Sequence, residues 1–306
     1  MNRILRLLLK IPSYLKIDIK KDYQLVRRLQ QVVFPDKKIP YRVMDCHINS
    51  PADERDIPAR IFLPKGERKP GALIFFHGGG WVIGDIGTYT LTCLNMAEMT
   101  GRAVYSVDYR LAPEHPFPAG LEDCYQAAAA MLDHPDWLDV DDAAEITLIG
   151  DSAGGNLAAV VSQMFRDRGR AVPARQILLY PATYWDHSED SPFESIRAYG
   201  LGYGLTAANI EDYMTLYEPD PEKRRDPYIS PLLASDLSGQ PETLIITAEY
   251  DPLRDEGEAY GEALQRAGNR VRIHRIPDAA HGFIAYPKFA RPVVEAYKEI
   301  NAFLGA

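Results

Sequence analysis

Ser152 lies between two glycines in the stretch TLIGDSAGGNL at residues 147–157. An apolar, β-forming run precedes it and a run of small, helix-forming residues follows, which predicts a sharp strand-to-helix corner at the serine. In so tight a turn the apex residue is strained and side chains two positions away would collide, which explains glycine at positions 150 and 154. The corner would expose the serine hydroxyl as a nucleophile. A plain helix N-cap serine explains the pentapeptide alone equally well.

A glycine-rich loop supplies a second signal. The segment FFHGGGWVIG at residues 75–84 follows a predicted strand over 72–76. Three successive glycines leave backbone amides bare, and such amides stabilise the oxyanion formed when a serine attacks a carbonyl group. The loop could also cradle a phosphate, but neither the GxxxxGK[ST] nor the GxGxxG pattern is present. His77 is interpreted as a structural residue that ends the strand and anchors the loop.

A serine hydroxyl needs a base, and the chain has seven histidines. His281 lies in IPDAAHGFIAY, directly after the last predicted strand. That position predicts that it reaches the carboxyl edge of the sheet, where Ser152 also lies. The other candidates lie within strand patterns or in separate loops: His47, His115, His134, His187 and His274.

The acid that orients such a base should come from another strand end. Asp251 follows the predicted strand 243–248 in LIITAEYDPLRDEG, and Glu249 and Asp255 are competing carboxylates. Asp251 followed by proline is also a good helix start, with the aspartate as N-cap. The chain order serine, aspartate, histidine is the one expected of α/β-hydrolases.

Five motifs together resemble the bacterial hormone-sensitive lipase family of carboxylesterases: HGGGW (77–81), DYRLAPEHPFPA (108–119), GDSAGGN (150–156), DPLRDEG (251–257) and HGF (281–283). They span most of the chain from residue 72 onward. The resemblance implies that the second motif is structural and braces the glycine loop.

The resemblance also implies a set of site residues. Ser152, Asp251 and His281 would form the catalytic triad. The oxyanion donors would be the backbone amides of Gly79, Gly80 and Ala153. No metal and no cofactor would be needed for this chemistry.

The pattern of elements predicts a mostly parallel, eight-stranded sheet with helices on both faces, the α/β-hydrolase fold. Strands are expected near 41–48, 57–63, 72–76, 103–107, 145–149, 176–180, 243–248 and 271–276. Helices are expected near 88–100, 119–133, 153–168, 253–267 and 290–304. The first two strands follow one another without a helix, which predicts an antiparallel start.

Two segments interrupt this alternation, residues 1–40 and about 183–228. The simplest interpretation is one domain over 1–306, in which the resemblance implies that both segments form a helical cap. The opening run MNRILRLLLKIPSYLKI is interpreted as an amphipathic helix packed on the protein's own body. It lacks a cleavage site and is too short to span a bilayer, so no stable membrane anchor is expected. A helix lying on a membrane surface is the alternative.

Composition limits the partners. The chain has 34 Lys and Arg against 43 Asp and Glu, a net charge of −9, which argues against binding to nucleic acid. Cys46, Cys93 and Cys124 form no CxxC pair, so neither a disulfide framework nor a zinc site is indicated. A cytoplasmic location is therefore expected, and the sequence leaves both a monomer and a homo-oligomer open.

These features predict a serine esterase acting on small esters with short acyl groups, from acetyl to about hexanoyl. Bulky side chains in the two cap segments would enclose a small pocket: Leu7, Leu8, Ile11, Tyr14, Tyr184, Trp185, Phe193, Tyr199, Tyr203, Tyr213 and Tyr217. An amidase or arylformamidase is one alternative, because HGGGW also resembles the HGGxW element of kynurenine formamidases. The other is a ligand-binding or regulatory protein that reuses the pocket, although hormone receptors of this fold lack the histidine that His281 supplies.

Overall fold

A single sheet organises the chain, of which the computed structural model describes residues 18–36, 39–49 and 55–305. Its strands are β1 (Val43–Asn49), β2 (Asp56–Phe62), β3 (Ala72–Phe76), β4 (Ala103–Val107), β5 (Ile146–Asp151), β6 (Arg175–Leu179), β7 (Glu242–Tyr250) and β8 (Val271–Ala280). The spatial order is β1-β2-β4-β3-β5-β6-β7-β8. Strand β2 is antiparallel to both of its neighbours, and every later pair is parallel. The predicted fold class and antiparallel start are therefore confirmed.

Helices cover both faces of this sheet. In chain order the helices of the described residues are α1 (Ile19–Val33), α2 (Thr90–Thr100), α3 (Ala119–Asp133), α4 (Ala153–Asp167), α5 (Glu194–Tyr199), α6 (Ala207–Tyr217), α7 (Arg254–Arg266) and α8 (Arg291–Leu304). Helices α2, α3, α4, α7 and α8 pack on the sheet, whereas α1, α5 and α6 belong to the two excursions. Strand β3, ALIFF, is buried along its whole length, and its side chains alternate between two cores. Such a continuous apolar run is typical of a strand with helices on both sides.

The long helices of the body agree with the sequence pattern. The helices of the two excursions were expected only in general, from the resemblance that implied a helical cap, and the sequence pattern did not give their bounds. Helix α1 belongs to the first excursion, and α5 and α6 belong to the second. Glycines and prolines flank α5 and α6, so the helical spacing of apolar residues extends over too few positions to be recognised in the sequence. The predicted amphipathic helix at residues 1–17 lies outside the described residues.

Helix α1 packs beside α6 and the glycine loop. Arg27 donates hydrogen bonds to the carbonyls of Val82 and Ala112, at 2.8 and 2.9 Å. Lys20 of α1 forms an ion pair with Asp212 of α6 at 2.9 Å. Parts of both excursions are therefore in contact above the glycine loop. Within the described part of the chain, no helix has the length and apolarity needed to cross a membrane.

Candidate active site

Ser152 joins strand β5 to helix α4 in a strained conformation, with φ of 56° and ψ of −120°. A Cβ atom on Gly150 would lie 2.1 Å from the carbonyl oxygen of Gly154, as the sequence predicted for a tight corner. A Cβ atom on Gly154 would lie 1.9 Å from the carbonyl oxygen of Phe76 in the neighbouring strand β3. Glycine at 154 is thus required by the close approach of helix α4 to the next strand as well as by the turn.

The structure brings Ser152, His281 and Asp251 into one hydrogen-bonded chain. The Nε2 atom of His281 lies 2.8 Å from Oγ of Ser152, and its Nδ1 atom lies 2.8 Å from Oδ2 of Asp251. His281 directly follows β8, and Asp251 directly follows β7 and is fully buried. With Nδ1 protonated, Nε2 is free to accept the serine proton.

The three competing carboxylates have separate partners. Asp255 accepts a hydrogen bond from the Ser195 amide at 2.8 Å, and Glu249 accepts one from the Asp278 amide at 2.7 Å. Only Asp251 contacts His281. The alternative role of Asp251 as a helix N-cap differs from the structure, because α7 begins at Arg254. Its Oδ1 atom instead accepts a hydrogen bond from the Leu253 amide at 2.9 Å, which holds the carboxylate in a turn ahead of the helix.

The glycine loop needs the absence of side chains at two positions. Gly79 and Gly80 have φ of 113° and 59°. A Cβ atom would lie 2.0 Å from the Ile83 carbonyl oxygen at Gly79, and 2.3 Å from the Tyr213 ring at Gly80. Neither glycine amide has a hydrogen-bond acceptor among residues 18–36, 39–49 and 55–305.

The neighbouring segment 108–119 contacts the glycine loop, as the resemblance implied. The Ala112 amide donates a hydrogen bond to the Trp81 carbonyl at 2.9 Å, and the Tyr109 hydroxyl donates one to the His77 carbonyl at 2.7 Å. The His77 ring is buried and stacks on Tyr109 with 4.4 Å between centroids. Burial lowers the pKa of His77, so this side chain is a neutral anchor of the loop.

Asp151 is a residue of the site that sequence reasoning missed. Its carboxylate is buried and accepts hydrogen bonds from the Gly78 amide at 2.8 Å and from the hydroxyls of Tyr89 and Tyr180 at 3.2 and 3.5 Å. Burial raises the pKa of Asp151 to about 6. The signal in the sequence was an acidic residue immediately before Ser152, at the end of an apolar strand. The contact with Gly78 ties the corner to the glycine loop.

A pocket of about 180 Å³ opens beside these groups. It is lined by Gly79, Gly80, Trp81, Tyr89, Asp151, Ser152, Ala153, Ala182, Leu205, Ile210, Tyr213, Leu253, His281 and Gly282. The second excursion contributes Leu205, Ile210 and Tyr213 to the wall. Of the aromatic side chains predicted there, Tyr217 packs behind the wall on Trp81, with ring centroids 4.5 Å apart.

Five of the remaining predicted wall residues do not line this pocket, and the other four belong to the undescribed residues 1–17. Tyr184, Trp185, Phe193, Tyr199 and Tyr203 contact one another elsewhere in the second excursion, and the last two also contact Tyr250 at the end of β7. Leu7, Leu8, Ile11 and Tyr14 belong to the undescribed residues 1–17. Within the described residues, no group of three or more His, Cys, Asp or Glu side chains is arranged to hold a metal ion.

Comparison with known proteins gives consistent matches. Residues 73–285 match the family model described as the alpha/beta hydrolase fold. Esterase LipI of Mycobacterium tuberculosis is 37% identical over 302 residues, covering 96% of this chain and 90% of that protein. Carboxylic ester hydrolase LipN of the same organism is 41% identical over 255 residues, covering 82% of this chain but 66% of LipN. A solved structure of a hyperthermophilic esterase from Pyrobaculum calidifontis superposes with a TM-score of 0.88 at 38% identity, covering 99% of this chain and 97% of that one.

Proposed function

Because the chain belongs to the alpha/beta hydrolase fold family, as its resemblance to the hormone-sensitive lipase esterases predicted, we propose that it hydrolyses carboxylic esters with Ser152 as nucleophile. The names of its relatives LipN and LipI support the reaction class. The assignment of the catalytic residues rests on one observation, the chain of hydrogen bonds from Ser152 through His281 to Asp251. Both nitrogen–oxygen distances in this chain are 2.8 Å.

The mechanism follows from these contacts. His281 accepts the proton of Ser152 through Nε2 while the serine oxygen attacks the ester carbonyl. Asp251 accepts the hydrogen bond from Nδ1, holds the required tautomer and stabilises the imidazolium that forms. The alcohol then leaves with the proton from His281, and a water molecule hydrolyses the acyl-enzyme through the same base.

The oxyanion of the tetrahedral intermediate needs fixed donors. We assign this role to the amides of Gly79, Gly80 and Ala153, which line the pocket beside Ser152. Donors held in place before the reaction stabilise the developing charge without reorganisation, and losing one typically costs a factor of about 10² to 10³ in kcat. The bond from the Gly78 amide to Asp151 supports this role because it fixes the loop at the residue next to Gly79.

The proposed substrates are esters of short acyl groups, from acetyl to about hexanoyl. A cavity of about 150 Å³ can hold one benzene ring of six carbons, and the pocket here measures about 180 Å³. Leu205, Ile210 and Tyr213 close the pocket on the side of the second excursion. A chain longer than this wall allows would have to displace them.

The domain assignment belongs to the same proposal. We propose one domain over 1–306 with a cap formed by about 1–40 and about 183–228. Its support is that α6 lines the pocket and that α1 packs against α6 through the Lys20–Asp212 ion pair. A cytoplasmic location is proposed as well, because Cys46, Cys93 and Cys124 are all free thiols.

Esterase activity is favoured over the two alternatives. The relatives reported above are named as esterases, which argues against an arylformamidase. An intact chain of Ser152, His281 and Asp251 argues against a ligand-binding protein that reuses the pocket.

The test measures kcat/KM on p-nitrophenyl acetate, butyrate, hexanoate, octanoate and palmitate, with a formanilide as the amide control. A fluorophosphonate probe followed by peptide mass analysis identifies the nucleophile, with the Ser152→Ala variant as control. We expect a maximum between acetate and hexanoate, slower amide cleavage and labelling at Ser152. A maximum at palmitate contradicts the short pocket, and labelling at a different serine contradicts the assignment.

A further inference from the structure

A buried histidine–glutamate pair lies where the second excursion meets helix α7, and the proposed mechanism does not use it. The Nε2 atom of His187 lies 3.0 Å from Oε2 of Glu256, and both side chains are fully buried. Burying two ionisable groups is costly unless opposite charges or hydrogen bonds compensate. Among the described residues, neither ring nitrogen of His187 nor Oε2 of Glu256 makes a hydrogen bond of good geometry, so the compensation here is the attraction between opposite charges. The position of this pair therefore calls for an explanation.

Glu256 also holds the first residues of the excursion. Its Oε1 atom accepts hydrogen bonds from the amides of Thr183 and Tyr184, at 2.7 and 3.2 Å. In return, the Thr183 hydroxyl donates to the Glu256 carbonyl at 2.8 Å. One glutamate of α7 thus fixes the point at which the chain leaves the sheet and enters the excursion.

His187 connects this anchor to the pocket wall. Its backbone amide donates a hydrogen bond to Oε1 of Glu211 at 3.1 Å, and its Nδ1 atom lies 3.7 Å from the same oxygen. Glu211 belongs to helix α6, where it lies between Ile210 and Tyr213, two residues that line the pocket. The position of the pocket wall is therefore linked through His187 to Glu256.

The loop that carries the proposed catalytic acid is also held by the second excursion, through Ser195. The Ser195 hydroxyl, in helix α5 of the excursion, donates a hydrogen bond to the carbonyl of Pro252 at 2.6 Å. Pro252 directly follows Asp251, and Asp255 accepts a hydrogen bond from the Ser195 amide. The first turn of α7 and the acid loop before it therefore contact the excursion at two separate places.

We propose that the His187–Glu256 pair is a latch, a positioning element that fixes the pocket wall of helix α6 to helix α7 and the acid loop. The proposal rests on the function proposed above, in which Asp251 is the catalytic acid and the α6 wall limits the acyl group. With the latch closed, the wall holds the pocket in the shape that binds a short ester. With the latch open, ester binding weakens while the groups that carry out the reaction stay in place.

The His187–Glu256 attraction depends on pH, because it requires a protonated His187. The charged groups that face it are Glu256 on α7 and Glu211 on α6, and Arg224 contacts the other oxygen of Glu211 at 3.3 Å. Burial alone lowers the pKa of His187, but the two glutamates outweigh it and raise the pKa from 6.5 to about 9. A histidine with a raised pKa stabilises the fold below its ordinary pKa, and this contribution is lost as the pH rises through the raised value. The latch should therefore hold at neutral pH and open near pH 9.

The decisive variant is Glu256→Gln, which keeps an oxygen for the Thr183 and Tyr184 amides but removes the negative charge that faces His187. The matched control is Glu258→Gln on the same helix, because Glu258 pairs with the half-exposed Arg275 instead. KM and kcat for p-nitrophenyl butyrate are measured from pH 6 to 10. Hydrogen–deuterium exchange over residues 183–217, corrected for the intrinsic effect of pH, reports on the wall directly.

In the wild type and in Glu258→Gln, we expect KM to rise as the pH passes about 9, while kcat changes less. In Glu256→Gln, KM at pH 7 should be about threefold higher or more, with kcat within about twofold, because weaker binding without a change in the chemical step raises KM alone. The rise in KM should also begin about one pH unit lower, since the loss of a facing charge lowers the pKa of the histidine. His187→Gln should keep a raised KM at every pH and show no further rise near pH 9.

Profiles of Glu256→Gln and His187→Gln that coincide with the wild-type profile would overturn the latch. A histidine NMR titration of the wild type is an independent check, and a His187 pKa at or below 6.5 would also overturn it. If the protein cleaves no ester, the proposed function fails, whereas the titration and the exchange measurement still decide the latch.

Discussion

Replacing Tyr213 with alanine should lengthen the acyl chain that the pocket accepts. The Tyr213 ring lies against Gly80, where an added Cβ atom would come within 2.3 Å of it, and the ring lines the pocket beside Ser152. It is therefore the bulkiest side chain that the second excursion places in the wall. Its removal opens space on the side where a longer acyl chain would extend.

The magnitude follows from the apolar surface that becomes available. Each buried methylene contributes about 0.8 kcal/mol. The two methylenes by which octanoyl exceeds the proposed hexanoyl limit would therefore contribute about 1.6 kcal/mol to binding in the transition state, whereas butyryl already fits the wild-type pocket. Since about 1.4 kcal/mol corresponds to a factor of ten in rate, the ratio of kcat/KM for octanoate to that for butyrate should rise about 15-fold. Because Tyr213 is only partly buried and borders an open pocket, its removal should lower the stability of the variant by less than the roughly 3 to 5 kcal/mol typical of a fully buried aromatic residue.

The assay is kcat/KM across the p-nitrophenyl ester series, normalised to folded protein by active-site titration. Tyr213→Phe is the matched control, because it keeps the ring that forms the wall and should leave the chain-length profile unchanged. Tyr213→Leu tests the same wall with a smaller cavity if the alanine variant is too unstable to purify. A chain-length profile for the alanine or leucine variant that coincides with the wild-type profile would refute the assignment of Tyr213 to the acyl wall.

Three further predictions concern the reacting groups. Ser152→Ala should lower kcat by a factor on the order of 10⁴ or more without changing the circular dichroism spectrum, and activity near that of the wild type would contradict its role. Asp251→Asn should lower kcat by roughly 10⁴ and Asp255→Asn far less, because only Asp251 contacts His281; the opposite ranking would move the acid. Asp151→Asn should lower kcat by about tenfold to a hundredfold, since a displaced catalytic group typically costs that much. Burial raises the pKa of Asp151 from 3.8 to about 6, so the stability of the fold declines as the pH rises between these values and the buried charge is fully destabilising above about pH 6. The Tm of this variant at pH 8 should therefore not fall, and a large loss of Tm would point to a purely structural role.

The sequence alone was sufficient for features that depend on local sterics. A serine between glycines after an apolar strand predicted the corner at Ser152, and the collision of a Cβ atom on Gly150 with Gly154 is the physical reason. The strands of the sheet were readable for a similar reason, because a strand buried on both faces needs an uninterrupted apolar run. The alternation of strands and helices predicted parallel strands. In a parallel sheet the carboxyl ends of β5, β7 and β8 lie at the same edge.

The choice among neighbouring carboxylates was beyond the sequence. Glu249, Asp251 and Asp255 lie within seven positions of one another, and the pattern favoured Asp251 only by its nearness to the strand end. In the structure their side chains point to different partners. Asp251 lies in the turn and reaches His281, whereas Asp255 lies in the first turn of α7 and reaches Ser195.

Only the tertiary structure decided the pocket and the contacts that hold it. Tyr213 lies against Gly80, and His187 pairs with Glu256, yet neither pairing leaves a periodic pattern in the chain. A local pattern records the face that a helix buries against its own neighbours along the chain. Contacts between segments far apart in sequence depend on the tertiary fold. The free energy of burying a charged group, or of packing a side chain into the pocket wall, is set by these long-range contacts.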